Sequence, residues 1–250
     1  MTAKAKASAT TIDPAEIERF AARAAEWWDP KGKFAPLHKL NPVRLAYIRE
    51  CAAARFDRDA KALRPFAGLR LLDIGCGGGL LSEPMARMGF DVVAADAAEA
   101  NVKTAMAHAA DQGLDIDFRV STAEEIASAG ESFDVILNME VIEHVSDVDL
   151  FFRTCASMIR PGGMMMMATL NRTMKAYALA VIGAEYVLGW LPRGTHDWRR
   201  FITPAEMRRL AGENGLKVKD LCGVSYFPLG DEWHRTADTG VNYMMCLERI

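Results

Sequence analysis

Three glycines at alternate positions, Gly75, Gly77 and Gly79, follow directly on the apolar residues Leu71, Leu72 and Ile74. Such a loop lets the chain turn sharply out of a buried strand and brings backbone close to a ligand. A dinucleotide-binding fingerprint would place its third glycine at the sixth position, which here is Leu80, so the spacing argues against a pyrophosphate held at a helix end. The bland alternative is a tight strand-to-helix turn with no ligand. Asp96 ends the next apolar run, and an acid roughly twenty residues past a glycine loop is placed to accept both hydroxyls of a ribose. Its own bland alternative is a cap on the following helix. Residues 121–125, Ser-Thr-Ala-Glu-Glu, either border the base of such a ligand or are ordinary solvent-facing sequence. Met139 falls at the carboxyl end of a fourth strand, in the crevice where open α/β sheets bind ligands, and is expected to pack on the cofactor.

A second group lies just beyond. Glu140, Glu143 and His144 are spaced i, i+3 and i+4 and share one face if the segment is helical. Two carboxylates and an imidazole suit a hard divalent ion such as magnesium, with substrate oxygens completing the shell. Charged residues on one helical face are also what a solvated surface looks like. His144 is an alternative general base for a phenol, and His196 with Asp197 forms another acid–base candidate.

The elements that position these residues follow from periodicity. Asp13-Pro14 with Glu16 and Glu18 behind it predicts a helix running to about residue 28. Adjacent Trp27 and Trp28 read as core or lid packing. Residues 31–42, punctuated by Gly32, Pro36 and Pro42, are expected to be irregular, with a helix over 42–56 that delivers Arg44 in its first turn. From residue 69 onward strands alternate with helices, the signature of a parallel sheet covered on both faces. Strands are expected at 69–74, 91–96, 116–120, 133–138, 164–168, 216–221 and 242–248. Four consecutive methionines, 164–167, suit a buried strand better than a cofactor box. Residues 176–191 are apolar almost all round and too short to span a bilayer, which takes about 20 residues, so they are a buried helix, a substrate lid or a segment lying on a membrane.

Composition narrows the class. A chain of 250 residues, half of them hydrophobic and a quarter charged, fits one globular domain, and a formal net charge of -3 argues against a general nucleic-acid binder. Five cysteines without Cys-x-x-Cys spacing suggest neither zinc nor a disulfide framework and fit a reducing compartment. Residues 1–12 lack an apolar stretch and read as a disordered tail rather than a signal peptide, so export is not expected. The organisation read from this is a single domain over 13–250, with a helical cap at 13–66 and an apolar insertion at 172–200.

Asp73 followed by Gly75, Gly77 and Gly79 resembles the first motif of the class I S-adenosylmethionine-dependent methyltransferases. The stretches Trp27-Trp28-Asp29, Asn41-Pro42-Val43-Arg44-Leu45, Met139-Glu140-Val141-Ile142-Glu143-His144, Thr169-Leu170-Asn171-Arg172, Gly194-Thr195-His196-Asp197 and Asp238-Thr239-Gly240-Val241-Asn242 extend the resemblance to the ubiquinone biosynthesis O-methyltransferase family, over nearly the whole chain. The resemblance implies an α/β fold with a seven-stranded, mostly parallel sheet whose last strand is antiparallel. It implies S-adenosylmethionine contacts at Arg44, Asp73, Gly75, Gly77, Asp96 and Met139, and in some members a divalent metal at Glu140, Glu143 and His144. It also implies a polyprenylated phenol or quinol as acceptor, contact of the apolar insertion with anionic membrane lipid on the cytoplasmic face, and a place among a complex of ubiquinone-biosynthesis proteins. Two rivals stand beside it: a class I methyltransferase for another small phenol or acid, and a non-catalytic module that keeps only the nucleoside pocket.

Overall fold

A computed structural model describes residues 10–179, 197–227 and 229–250. Its centre is an eight-stranded sheet: β1 (Arg70–Ile74), β2 (Asp91–Asp96), β3 (Asp117–Val120), β4 (Phe133–Met139), β5 (Ile159–Leu170), β6 (Leu216–Phe227), β7 (Glu232–Thr236) and β8 (Asn242–Arg249). The order across the sheet is β3-β2-β1-β4-β5-β8-β6-β7. β1 to β5 pair in parallel, β8 inserts antiparallel between β5 and β6, and β7 closes the edge as a hairpin partner of β6. Seven strands were expected. The eighth is β7, whose sequence Glu-Trp-His-Arg-Thr carries a polar, edge-strand pattern that reads as loop.

Helices α1 (Pro14–Ala21), α2 (Ala35–Arg55), α3 (Ser82–Arg87), α4 (Glu99–Asp111), α5 (Ala123–Ser128), α6 (Val148–Ser157), the single turn α7 (Met174–Ala176) and α8 (Pro204–Glu213) surround the sheet. The core is split by the sheet into two apolar layers. One lies under α5, α6 and α8 and includes Ile136, Met165, Met167 and Phe152; the other lies under α2 and α3 and includes Tyr47, Ile48, Met164 and Met166. Met164 to Met167 therefore alternate between layers and are fully buried, as a two-sided central strand requires.

The amino-terminal region departs most from expectation. α1 stops at Ala21, and after a 3-10 turn at Ala24–Glu26 the chain folds back so that both tryptophans reach the glycine loop. α2 begins seven residues before Pro42, with Pro36 in its first turn and Pro42 inside it. An internal proline costs about 3 kcal/mol of helix stability, which the burial of Leu40, Tyr47 and Ile48 on the same helix outweighs. Arg44 is consequently mid-helix. Ordered contacts also start earlier than a tail over 1–12 would allow: Thr11 is buried, its hydroxyl donates to Glu124 at 2.6 Å, and its carbonyl accepts from the Ser146 amide.

Candidate active site

The glycine loop sits at the carboxyl end of β1. Gly75, Gly77 and Gly79 all have positive φ, between 55 and 86°, where a side chain is strained. The loop is tied to β2 by the Gly75 and Cys76 amides, which both donate to the Ala95 carbonyl. A Cβ on Gly75 would lie 2.5 Å from Val141 Cγ2, and one on Gly77 or Gly78 would collide with the Trp27 ring. Two of the glycines are thus needed by the protein's own lid, a reason invisible in the motif.

Asp96 ends β2 with one carboxylate oxygen on this loop and the other on the residues that follow the strand. Oδ2 accepts the Gly77 amide at 2.9 Å, and Oδ1 accepts the Ala98 amide at 2.8 Å and the Asn101 side-chain amide at 3.2 Å. Each oxygen has two acceptor directions, so the three donors fix the carboxylate plane and leave capacity for a ligand hydroxyl. Burial raises its pKa, against the pull of those donors. The helix cap reading is met in part, since Asp96 does accept the Ala98 amide two residues on, although α4 starts at Glu99.

Asp73 and Arg44 form the floor. Asp73 is buried, accepts the Ser82 hydroxyl at 2.6 Å, and burial pushes its carboxyl up to about 6 despite Ser82 and Arg44. Arg44 is only 3% exposed; it donates to Glu140 at 2.7 Å and to Asn41 at 2.9 Å, while its Nε has no protein partner among the described residues. Glu140 reaches this pair from a left-handed backbone with φ 57°, an uncommon conformation for a non-glycine residue that is held here by its amide bond to Ala168.

A raised acid pKa makes a stability prediction. The Asp73 carboxyl is neutral in the fold below its ordinary value near 3.8, becomes a buried charge as pH passes about 6, and destabilises the native state above that. Asp73→Asn should therefore match wild type in thermal midpoint near pH 4 and exceed it at pH 7.5 by up to about 3 kcal/mol in stability. Equal midpoints at both pH values, measured by calorimetry, would show that the carboxyl is not a buried charge.

The acceptor end contains Glu143 and His144, but not on a helical face shared with Glu140. Residues Ile142–His144 form one 3-10 turn and Glu140 lies outside it. Each candidate metal ligand has a different protein partner: Glu140 takes Arg44, Glu143 accepts the Thr169 hydroxyl at 3.0 Å, and His144 Nδ1 bonds Glu16 of α1 at 2.8 Å. No group of three His, Cys, Asp or Glu among the described residues is placed to hold a metal ion. The expected magnesium site does not fit this arrangement, because the i, i+3, i+4 spacing converges only on an α-helix. Glu143 is buried and its carboxyl is raised by that burial, with Glu140 adding to the effect and His144 opposing it. His196 lies outside the described residues, as do residues 180–191 of the apolar segment. Asp197, the neighbour of His196, is committed to Arg199 and caps a turn at Trp198–Arg200.

One cavity of about 690 Å3 joins these parts. It runs from Gly75, Asp96 and Met139 past Glu143 and Thr169 to an aromatic wall at Tyr226 and Trp233, and α1 roofs it through Ile17 and Phe20. Ser121 and Glu124 border it as the sequence suggested, with Thr122 and Glu125 forming a reciprocal capping box on α5. Sequence reasoning missed the roof: the Glu16–His144 hydrogen bond, the Asp13–Arg200 ion pair and the Thr11–Glu124 bond join residues more than a hundred positions apart and leave no local pattern.

A family model described as a methyltransferase domain matches residues 43–221. The ubiquinone biosynthesis O-methyltransferase of Parvibaculum lavamentivorans is 65% identical over 244 residues, covering 98% of this chain and 96% of that protein. The protein of the same name from Brucella anthropi is 60% identical over 240 residues, covering 96% and 97%. Among solved structures, the magnesium protoporphyrin IX methyltransferase of Synechocystis with bound SAH superposes with a TM-score of 0.63 at 18% identity, over 93% of this chain and 94% of that one, a likeness of fold.

Proposed function

The chain belongs to the ubiquinone biosynthesis O-methyltransferase family, and we propose that the glycine loop and Asp96 hold the methyl donor while Glu143 takes the proton from a polyprenylated catechol or demethylubiquinol. It is an S-adenosylmethionine-dependent O-methyltransferase of ubiquinone biosynthesis. When bound, S-adenosylmethionine supplies an electrophilic methyl group on a sulfonium. The residues present suit it: three left-handed glycines, an acceptor-only carboxylate at Asp96, and an orphaned Arg44 Nε in the same cavity for a carboxylate.

The observation that carries the reading is the continuity of the cavity, with the donor loop at one end, an aromatic wall at the other and a buried carboxylate between. Holding two reactants in one enclosed space converts a bimolecular reaction into a local one. Glu143, raised by burial, is a stronger base than an exposed glutamate and accepts the phenol proton as the oxygen becomes nucleophilic. Thr169 orients it. Turnover with S-adenosylmethionine and a short-tailed catechol, read as methylated product by mass spectrometry, tests this, and a preference for small untailed phenols or acids would favour the rival class I activity.

The membrane reading extends the proposal. No helix among the described residues is long and apolar enough to cross a membrane. Leu179, within the apolar stretch, and Met174, just before it, are exposed, which supports docking on a lipid surface. Among the described residues, the basic side chains beside it are already paired, Lys175 with Asp238, Arg199 with Asp197 and Arg200 with Asp13, so attraction of these to anionic lipid is weaker than about 1 kcal/mol for each. Arg172, Thr173 and Ala176 contact Glu206, Gly240 and Phe201, so a deletion must spare them. Removing residues 180–193 should leave cofactor binding intact while abolishing liposome sedimentation and turnover of long-tailed substrates. Sedimentation equal to wild type would remove the membrane role.

A further inference from the structure

We infer that Trp27 is a positioning residue for the ribose site, acting through Asn101 on Asp96; this rests on the reading of Asp96 as the ribose acceptor. The Trp27 indole N–H donates to Asn101 Oδ1 at 2.9 Å, and the Asn101 amide nitrogen donates to Asp96 Oδ1 at 3.2 Å. Asp96 Oδ2 meanwhile takes the Gly77 amide. The path therefore runs from the amino-terminal cap to the carboxylate that faces the cofactor loop.

The chemistry of each link gives it direction. An indole N–H is only a donor and an ionised carboxylate only an acceptor, so the amide between them has a single satisfying orientation, oxygen to Trp27 and nitrogen to Asp96. Asn101 is buried, so loss of the indole N–H strands its carbonyl oxygen, and the amide then pays that cost by rotating or shifting away from Asp96.

Trp27 itself is held from four sides. Its ring stacks on Phe34 at 3.8 Å, its carbonyl accepts from His38 Nε2 at 2.8 Å, its edge covers Gly77 and Gly78, and its N–H is the bond to Asn101. Trp28 adds a second anchor, donating to the Gly78 carbonyl at 2.9 Å and stacking on His108. A ring fixed this closely against both the loop and the ribose carboxylate's partner sets the distance between them.

The test compares S-adenosylhomocysteine with its 2′-deoxyribose analogue by calorimetry on the full-length protein. Wild type should prefer the hydroxylated ligand by about tenfold. Trp27→Phe keeps an aromatic ring on Phe34 but removes the donor, and should lower that preference at least threefold. Asn101→Ala should do the same, and serves if the Trp27 variant does not fold. Phe66→Leu, in the core at a distance from the loop, should lower the melting temperature without changing the preference. An unchanged preference in Trp27→Phe or, failing that, in Asn101→Ala overturns the inference. An unchanged preference in Asp96→Ala instead overturns the ribose reading, a separate outcome.

Discussion

Asp96→Ala is expected to weaken S-adenosylmethionine binding about a hundredfold, and Gly75→Val to take it below detection. The first variant removes a charged acceptor, where a hydrogen bond is worth about 1.5–3 kcal/mol, and at the same time frees the Gly77 and Ala98 amides that it held. The second places a β-branched residue at φ 71°, a strain of roughly 1–3 kcal/mol, and drives its Cβ into Val141. Either the loop retreats, breaking the Gly75 and Cys76 bonds to Ala95, or Val141 moves and carries Glu140 and Glu143 with it. Both routes spoil the cavity while leaving the two core layers intact. Calorimetric titration of folded protein decides the matter, and affinity unchanged in both variants would mean that the donor binds elsewhere.

The parts of this fold that were legible in the sequence are those whose cause is local. β1, β2, β4 and β5 are apolar runs that require burial on both faces, and the glycines after β1 permit only a sharp turn. The buried methionines follow from the same logic. The start of α2 is not legible because proline is a local signal of helix termination, whereas the burial of Leu40 and Tyr47 that overrides it is tertiary. β7 carries no strand signal in its sequence because an edge strand needs no apolar alternation.

The site divides the same way. Gly75, Gly77, Asp96 and Met139 line one cavity because strand ends in an open α/β sheet converge at one crevice, a placement that the sequence pattern makes legible. Glu140 was assigned to the wrong company: helical spacing suggested Glu143 and His144, while its left-handed backbone turns it to Arg44. Such a φ has no sequence signature when the residue is not glycine or asparagine. Trp27 and Trp28 were recognised as packing residues, but their partners, Asn101 and Gly78, lie 74 and 50 positions away. The two tryptophans tie the cap to the loop by contacts that no periodicity encodes.

Glu143→Gln should lower kcat by about a hundredfold to ten-thousandfold, the range for removal of a positioned general base, with little change in affinity for S-adenosylmethionine. The side chain is 4% exposed and keeps the Thr169 bond in either form, because the glutamine oxygen accepts from the same hydroxyl. Stability should move the other way. Burial raises the carboxyl above its ordinary value, so the wild-type fold is fully favoured only below that value and loses stability as pH rises through the shifted pKa. Glutamine carries no charge to bury, and the variant should melt at a higher temperature than wild type at neutral pH. Wild-type kcat should rise across the same pH interval, as the base loses its proton, and the variant should lack that limb. A less active and more stable protein cannot be explained by unfolding. If turnover instead stays within tenfold of wild type and His144→Ala abolishes it, the imidazole held by Glu16 is the base, and α1, which carries Glu16, belongs to the catalytic machinery rather than only to the roof.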